Sequence, residues 1–247
     1  MSAERILITG ASSDLAGQLI RSLTAGGCPG KILAHYHHGR ERVEKLKSEL
    51  GDCFCPIEAD LSSHEGVKRL IEQVRSQAEF PTEIIHFAGL KLWLERFHQL
   101  DVGRFQTDFQ VQVRAAMEVL KTFLPVMSRA EQRTKVVLVL SSVTLGVPAK
   151  FMSAYTVVKY AELGLLRALA AEYAGTSVNI NAVSPYMVET QFLSEIPEKA
   201  REMAAAAAPE KRLATPAEVV SVIQFLLSSG SDFLNGANIP VTGGTVF

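Results

Sequence analysis

Three side chains with complementary chemistry stand close together in the second half of the sequence. Ser142 ends an apolar stretch, Tyr155 follows thirteen positions later, and Lys159 lies four positions beyond Tyr155. That last spacing places the phenol and the ammonium on one face of a helix. An ordinary phenol has a pKa of about 10, and a nearby cation stabilises its ionised form. The pattern predicts general acid–base catalysis by Tyr155, with Ser142 donating to a substrate oxygen.

Taken singly, each of these residues is expected to be structural or solvated. The stretch "AYTVVK" alone also fits any amphipathic helix. The catalytic interpretation depends on the joint spacing of the three residues, which follows a buried apolar strand in a chain that also carries a glycine turn.

The glycine turn lies in "RILITGASSDLAGQLIRSL", from Arg5 to Leu23. An apolar strand leads into a tight polar turn at Gly10, and a helical pattern follows. Backbone N–H groups and the positive end of the helix then meet at one point, where a pyrophosphate binds. Many parallel α/β proteins have glycine at this position, so the turn alone is weak evidence for a dinucleotide site.

The elements around these residues alternate between short apolar strands and helical patterns. Strands that are apolar almost throughout are buried on both faces, which predicts a mostly parallel sheet covered by helices. Asp101 and the pair Thr215-Pro216 mark helix starts. The seven predicted strands are "RILITG", "KILAHY", "CFCPIEA", "TEIIHFAG", "KVVLVLSS", "VNINAVSP" and "ANIPVTGG".

The bulk composition predicts one globular α/β domain over residues 1–247. The chain is 47% hydrophobic and has a net charge of −1 with scattered basic residues, which argues against nucleic acid or membrane partners. We expect no signal peptide and no membrane span, and hence a cytoplasmic protein. Cys28, Cys53 and Cys55 are predicted to be reduced thiols, and no metal site is expected.

Several further motifs accompany the turn and the Ser-Tyr-Lys pattern. They are "TGASSDLAG", "ADL" at 59–61, "HFAG" at 86–89, "NAVSPYMVET" at 181–190 and "RLATPAEVVSVIQFLLSSGSDFLNGANIPVTGG" near the end. With these motifs the sequence resembles the short-chain dehydrogenases/reductases from end to end, particularly the single-domain type that includes 3-oxoacyl-acyl carrier protein reductases. The resemblance implies a Rossmann-type, doubly wound, seven-stranded parallel sheet with helices on both faces. It also implies a homotetramer that transfers hydride between a nicotinamide cofactor and a carbonyl or secondary alcohol.

The second strand bears on the choice of cofactor. An NAD site favours an acid at the end of this strand, whereas "KILAHYHHGRER" offers His37, His38 and Arg40 before any acid. These donors suit a 2′-phosphate, so NADP(H) is predicted and NAD(H) is the less favoured cofactor. Alternatively, the basic residues form only a solvated turn with no role in binding. The turn residues and the resemblance together give the predicted cofactor contacts: Gly10, Ser12, Ser13, Asp14, Leu15, His37, His38, Arg40, Asp60, Leu61, Ala88, Gly89, Tyr155, Lys159, Pro185, Val188 and Thr190.

Four positions depart from the family pattern. Asp14 replaces the second glycine of the turn, and we expect its carboxylate to face the helix N–H groups or a ribose hydroxyl. Gln112 replaces the Asn that resembles a fourth catalytic member, and it retains the amide chemistry. His86 is expected to be a satisfied core histidine, with a proton-handling role as the alternative. Tyr186 replaces a glycine and is expected to narrow the mouth of the site.

The substrate is less well defined by the sequence. Trp93, Phe151, Met152 and Phe192 are candidate walls for an apolar or acyl chain, although each fits a core or subunit-interface position more readily. Residues 190–212 form either a lid or a surface helix. Arg129 and Arg133 are hypothesised to meet an acidic acyl carrier protein. Two alternative functions stay open: a dinucleotide-binding scaffold or regulator that has lost catalysis, and a dehydrogenase that oxidises alcohols with the same residues.

Overall fold

A seven-stranded parallel sheet forms the centre of the protein, as predicted. The computed structural model describes residues 4–246, and the strand order is β3-β2-β1-β4-β5-β6-β7, with every neighbouring pair parallel. The chain therefore winds in one direction from β1 to β3 and in the other from β4 to β7, and the order reverses beside β1. The strands are Glu4–Thr9 (β1), Gly30–Tyr36 (β2), Phe54–Glu58 (β3), Glu83–His86 (β4), Thr134–Val139 (β5), Val178–Pro185 (β6) and Asn238–Val241 (β7).

Eight α-helices accompany the sheet in the described range. Two apolar clusters cover its faces: α1, α2 and α8 pack on one face, and α3, α5 and α6 pack on the other. The helices are Asp14–Thr24 (α1), Arg40–Leu50 (α2), His64–Gln77 (α3), Val102–Phe109 (α4), Ala115–Met127 (α5), Ser153–Glu172 (α6), Glu198–Ala207 (α7) and Pro216–Leu227 (α8).

The helix starts follow the sequence signals. The Asp101 carboxylate accepts a hydrogen bond from the N–H of Arg104 at 3.0 Å, and Thr215 with Glu218 forms a capping box ahead of Pro216. The alanine-rich helix α7 ends at Ala207, two residues before Pro209. No described helix is both long and apolar enough to span a bilayer.

The long helical pattern from Val102 to Met127 contains one irregular turn. Residues Gln110–Arg114 form a π-helix between α4 and α5. Such a bulge inserts one extra residue into the helix, and bulges of this kind are frequent at functional sites. Here it turns Gln112 inward, where the side chain is 2% exposed.

The prediction that all three cysteines are reduced was wrong for two of them. Cys28 and Cys53 form a disulfide, with their Cα atoms 5.9 Å apart, while Cys55 is free and partly buried. The two bonded residues lie next to the amino ends of the paired strands β2 and β3, so the sheet register brings them together. Among residues 4–246 there is no cluster of three or more metal-ligating side chains.

Candidate active site

A cavity of about 1100 Å³ opens at the carboxyl edge of the sheet. The loops that follow the first six strands all contribute to its walls. The cavity lies at the point where the strand order reverses, and ligands of doubly wound sheets bind at such a point. Every predicted catalytic and cofactor residue lines this cavity except Arg40.

The glycine turn is held by its backbone conformation and by a buried histidine. Gly10 has a φ of +68°, and a Cβ added there would lie 2.9 Å from the backbone nitrogen of Ala88. The N–H of Gly10 donates to Nδ1 of His35 at 3.2 Å, and Nε2 of His35 lies 3.0 Å from the carbonyl of Ala59. Burial lowers the pKa of His35 to about 4, so the ring is neutral and fixes the turn without adding charge.

Asp14 does not face the helix N–H groups, which is the first of the two contacts that the sequence predicts for it, and the contact with a ribose hydroxyl stays a prediction. Ser13 caps α1 by accepting from the N–H of Ala16, which leaves the Asp14 carboxylate free to turn outward. One carboxylate oxygen accepts from Arg42 at 2.9 Å and the other from the backbone N–H of Gln191 at 2.7 Å. Asp14 therefore links the turn to α2 and to the segment that follows β6.

The cation beside this end of the cavity is Arg42, and the prediction of Arg40 was wrong. Arg40 forms an exposed ion pair with Glu44 one turn along α2 at 2.8 Å. Two residues further along the helix, Arg42 points to the opposite side and also donates to the carbonyl of Ser12 at 3.2 Å. A helix turns by about 200° over two residues, so Arg40 and Arg42 cannot both face the cavity.

Tyr155 and Lys159 lie on one face of α6 at the inner wall of the cavity. The Lys159 ammonium is 5.8 Å from the centre of the Tyr155 ring, and both side chains are buried. Burial raises the pKa of Tyr155, while Lys159 and a hydrogen bond with the Ser141 side chain act in the opposite direction. The cavity wall near the phenol includes both Ser142 and its neighbour Ser141, which was not among the predicted residues.

Two buried acids next to these residues were also missed. Glu162 accepts from the Lys159 ammonium at 2.8 Å, and Asp108 accepts from the Gln112 amide at 2.7 Å. Glu162 lies three residues after Lys159, and Asp108 lies four residues before Gln112. That spacing, which places each acid on the same helix face as a predicted catalytic residue, was the available signal.

His86 is a core histidine, as expected, but only one of its nitrogens is satisfied by a described residue. Nδ1 lies 2.8 Å from the Thr9 hydroxyl, whereas Nε2 has no hydrogen-bond partner among residues 4–246. Burial, followed by the Lys159 charge, lowers the pKa of His86 to about 3. The ring is therefore neutral at physiological pH.

An apolar wall of the cavity packs beside Tyr155. Met152 and Phe192 line it, as predicted, together with Leu92 and Met187, and Tyr186 also lies at the wall. The other two candidates, both aromatic, do not line the cavity. Trp93 is buried beneath the Arg104 guanidinium, which lies 4.3 Å from its ring centre, and Phe151 is half exposed beside Arg96.

Comparison with known proteins agrees with this geometry. The family model described as enoyl-(acyl carrier protein) reductase matches residues 10–246. Nodulation protein G of Rhizobium sp. (strain N33) is 28% identical over 246 residues, covering 99% of this chain and 97% of its own. The 3-oxoacyl-[acyl-carrier-protein] reductase FabG of Thermotoga maritima is 28% identical over 247 residues, covering 97% of this chain and 96% of its own.

A solved structure of 3-ketoacyl-(acyl-carrier-protein) reductase from Brucella melitensis complexed with NADH has the same fold. It superposes with a TM-score of 0.87 at 23% identity, covering 99% of this chain and 98% of that chain. Since the family match begins at the glycine turn and includes the Ser-Tyr-Lys residues, the chain belongs to the short-chain dehydrogenase/reductase family, an oxidoreductase family acting on carbonyls and alcohols with NAD(P)(H).

Proposed function

We propose that this protein is an NADP(H)-dependent reductase that converts a carbonyl group, with a 3-oxoacyl compound as the leading candidate, into a secondary alcohol. One observation carries the proposal: a phenol, an ammonium and two serine hydroxyls meet on the inner wall of one cavity. Tyr155 is the proton donor, Lys159 and Gln112 support it, and Ser142 together with Ser141 binds the substrate oxygen.

The residues of the turn fit a dinucleotide. Gly10 lines the cavity with a positive φ, and only a residue without a side chain can pack this closely against the Ala88 backbone, so the tight turn that a pyrophosphate site needs is retained. The N-terminus of α1 points to the same place and supplies a positive dipole. When bound, the nicotinamide supplies the hydride.

The protein side chains handle the proton and the developing charge. The Ser141 and Ser142 hydroxyls are placed to donate to the substrate oxygen, a contact that strengthens as negative charge forms there. Tyr155 then gives its proton to that oxygen. The Lys159 ammonium favours the resulting phenolate, since an opposite charge nearby lowers the pKa of an acid.

The proposed preference for NADP(H) is supported by His37, His38 and Arg42, which line one end of the cavity. The Asp60 carboxylate lies 3.7 Å from Nδ1 of His37 and so faces that ring. An arginine can bind a phosphate through two parallel hydrogen bonds, which favours a 2′-phosphate over a hydroxyl.

Arg42→Ala should weaken NADPH binding by about tenfold, because a charge-assisted phosphate contact is worth about 1.5–3 kcal/mol and Asp14 already shares this cation. NADH binding should change much less. Fluorescence titration with both cofactors measures the two dissociation constants. Arg40→Ala is the matched control, since it removes the same charge from the outer face of α2. Equal losses for NADPH and NADH in Arg42→Ala would contradict the assignment of the 2′-phosphate to this residue.

A 3-oxoacyl substrate is supported by the apolar wall and by the similarity to reductases that bear that name. The position of the two arginines does not support docking of an acyl carrier protein at Arg129 and Arg133. Arg133 immediately precedes β5, whereas Ser142 lies beyond its far end, and six residues of strand separate the two edges by about 20 Å.

The test is NADPH oxidation measured with a panel of carbonyl compounds, including 3-oxoacyl thioesters, diketones and cyclic ketones. Turnover that requires Tyr155 supports the reductase. Tight cofactor binding without turnover on any compound would favour the scaffold or regulator, for which the departures at Asp14 and Gln112 are the motivating observation. Faster turnover of secondary alcohols with NAD⁺ than of any carbonyl with NADPH would favour the oxidising dehydrogenase.

A homotetramer is proposed as the assembly, and residues 190–212 as a lid over the substrate. The tetramer is supported by Val157 and Tyr160 on α6 and Met117 on α5, apolar side chains that are each about half exposed. Val157→Asp should therefore reduce the assembly to smaller species in size-exclusion chromatography with light scattering. Met203→Asp, which adds the same charge at an exposed apolar position of α7, should leave the mass unchanged. A cytoplasmic location stays a prediction.

A further inference from the structure

The Lys159 ammonium forms an ion pair with a buried carboxylate, that of Glu162. The Lys159 ammonium donates to the Glu162 carboxylate at 2.8 Å and to the carbonyl of Val139 at 2.8 Å. Glu162 is 1% exposed, so the pair is shielded from solvent and from salt. The field that Lys159 exerts on Tyr155 is accordingly opposed by a negative charge one helical turn away.

We propose that Glu162 is a positioning residue that fixes the Lys159 ammonium against β5 and holds Tyr155 in its protonated, proton-donating form. The inference rests on the proposed function of the same site. Its consequence is a reductase whose activity persists to higher pH than the tyrosine–lysine pair alone would allow.

The electrostatics support this direction for both neighbours of Glu162. Burial alone would lower the pKa of Lys159, but Glu162 and Tyr155 raise it above its ordinary value. The pKa of Tyr155 is raised first by burial, and the Glu162 and Asp108 carboxyls raise it further against the opposing effect of Lys159. Burial raises the pKa of Glu162 itself to about 7, so it is ionised in the alkaline range where Tyr155 titrates.

The other groups facing this cluster come from α4 and β4. Asp108 on α4 is fully buried, and burial raises its pKa. His86 on β4 is neutral, with its pKa lowered by burial and by Lys159. Within residues 4–246, one nitrogen of His86 and one oxygen each of Asp108 and Glu162 lack a hydrogen-bond partner. No other cation besides Lys159 is in hydrogen-bond contact with Glu162 in that range, so its charge acts mainly on Lys159 and, through it, on Tyr155.

The experiment compares wild type with Glu162→Gln, which keeps the shape and removes the charge. Two quantities are measured: the pH profile of kcat/KM for carbonyl reduction, and the titration of Tyr155 followed by NMR of protein labelled at tyrosine ¹³Cζ. Tyr155→Phe assigns the signal among the five tyrosines. Glu172→Gln, an exposed position at the end of the same helix, is the control.

In Glu162→Gln we expect the Tyr155 titration and the alkaline limb of the rate profile to move down by about one pH unit, the size of effect that a charge at this range exerts. Glu162→Asp, which restores the charge, should move both back toward wild type. A change in kcat or in thermal stability with no movement of either titration would show that Glu162 is only structural.

The NMR titration needs no substrate, so it separates this inference from the proposed function. If Tyr155 shifts in Glu162→Gln while no carbonyl is turned over, the electrostatic role stands and the proposed reaction fails. If Tyr155 titrates at the same pH in both proteins, the inference is overturned even for an active reductase.

Discussion

Tyr155→Phe should lower kcat for carbonyl reduction by about 10³-fold, because it removes the proposed proton donor, and general acid catalysis contributes about 10²–10⁴-fold. The phenyl ring keeps the packing against Phe192, whose ring centre is 6.1 Å away. NADPH binding should therefore stay close to that of wild type, and steady-state kinetics beside a fluorescence titration measures both quantities.

Tyr160→Phe is the matched control for this substitution. It removes the same hydroxyl from the same helix, but from a half-exposed position outside the cavity. Turnover should be unchanged in that variant. Retention of wild-type kcat in Tyr155→Phe would mean that another group delivers the proton, and the proposed mechanism would have to be abandoned.

Gly10→Ala should weaken NADPH binding by about 10–100-fold. A left-handed residue with a side chain costs about 1–2 kcal/mol, and each 1.4 kcal/mol is tenfold in affinity. The new methyl group would also press on the backbone of Ala88 at 2.9 Å, so the turn must move away from β4. Fluorescence titration gives the dissociation constant, and circular dichroism checks that the fold is retained.

Gly17→Ala, in the helix that follows the same turn, provides the comparison. A Cβ there would meet only the end of the Arg21 side chain at 3.6 Å, and alanine favours a helix more than glycine does. Cofactor binding should be retained and stability should rise slightly. Wild-type affinity in Gly10→Ala would instead place the cofactor away from this turn.

The parallel sheet was predictable because its apolar strands and the helical segments between them are local patterns. The doubly wound arrangement was implied by the family resemblance and not by those patterns. The helix starts at Asp101 and Thr215 were predictable from local patterns too, since a cap needs only its own neighbouring residues.

What the sequence did not reveal depends on contacts between distant segments. Asp14 meets Arg42 and Gln191, which are 28 and 177 positions away, so its orientation could not be derived from the helix start alone. The disulfide between Cys28 and Cys53 follows from the register of β2 on β3. Whether Arg40 or Arg42 faces the cavity depends on the rotation of α2 about its axis. That rotation cannot be derived from the sequence while the first residue of the helix is uncertain by one or two positions.

Asp14 also has a kinetic consequence. The 2′-phosphate of the proposed cofactor competes with this carboxylate for Arg42 and meets the carboxylate's own repulsion. Most differences in affinity between related complexes appear as differences in dissociation rate. The cofactor should therefore have a short residence time and exchange after each turnover, so that the rate of this enzyme follows the ratio of reduced to oxidised cofactor in its surroundings.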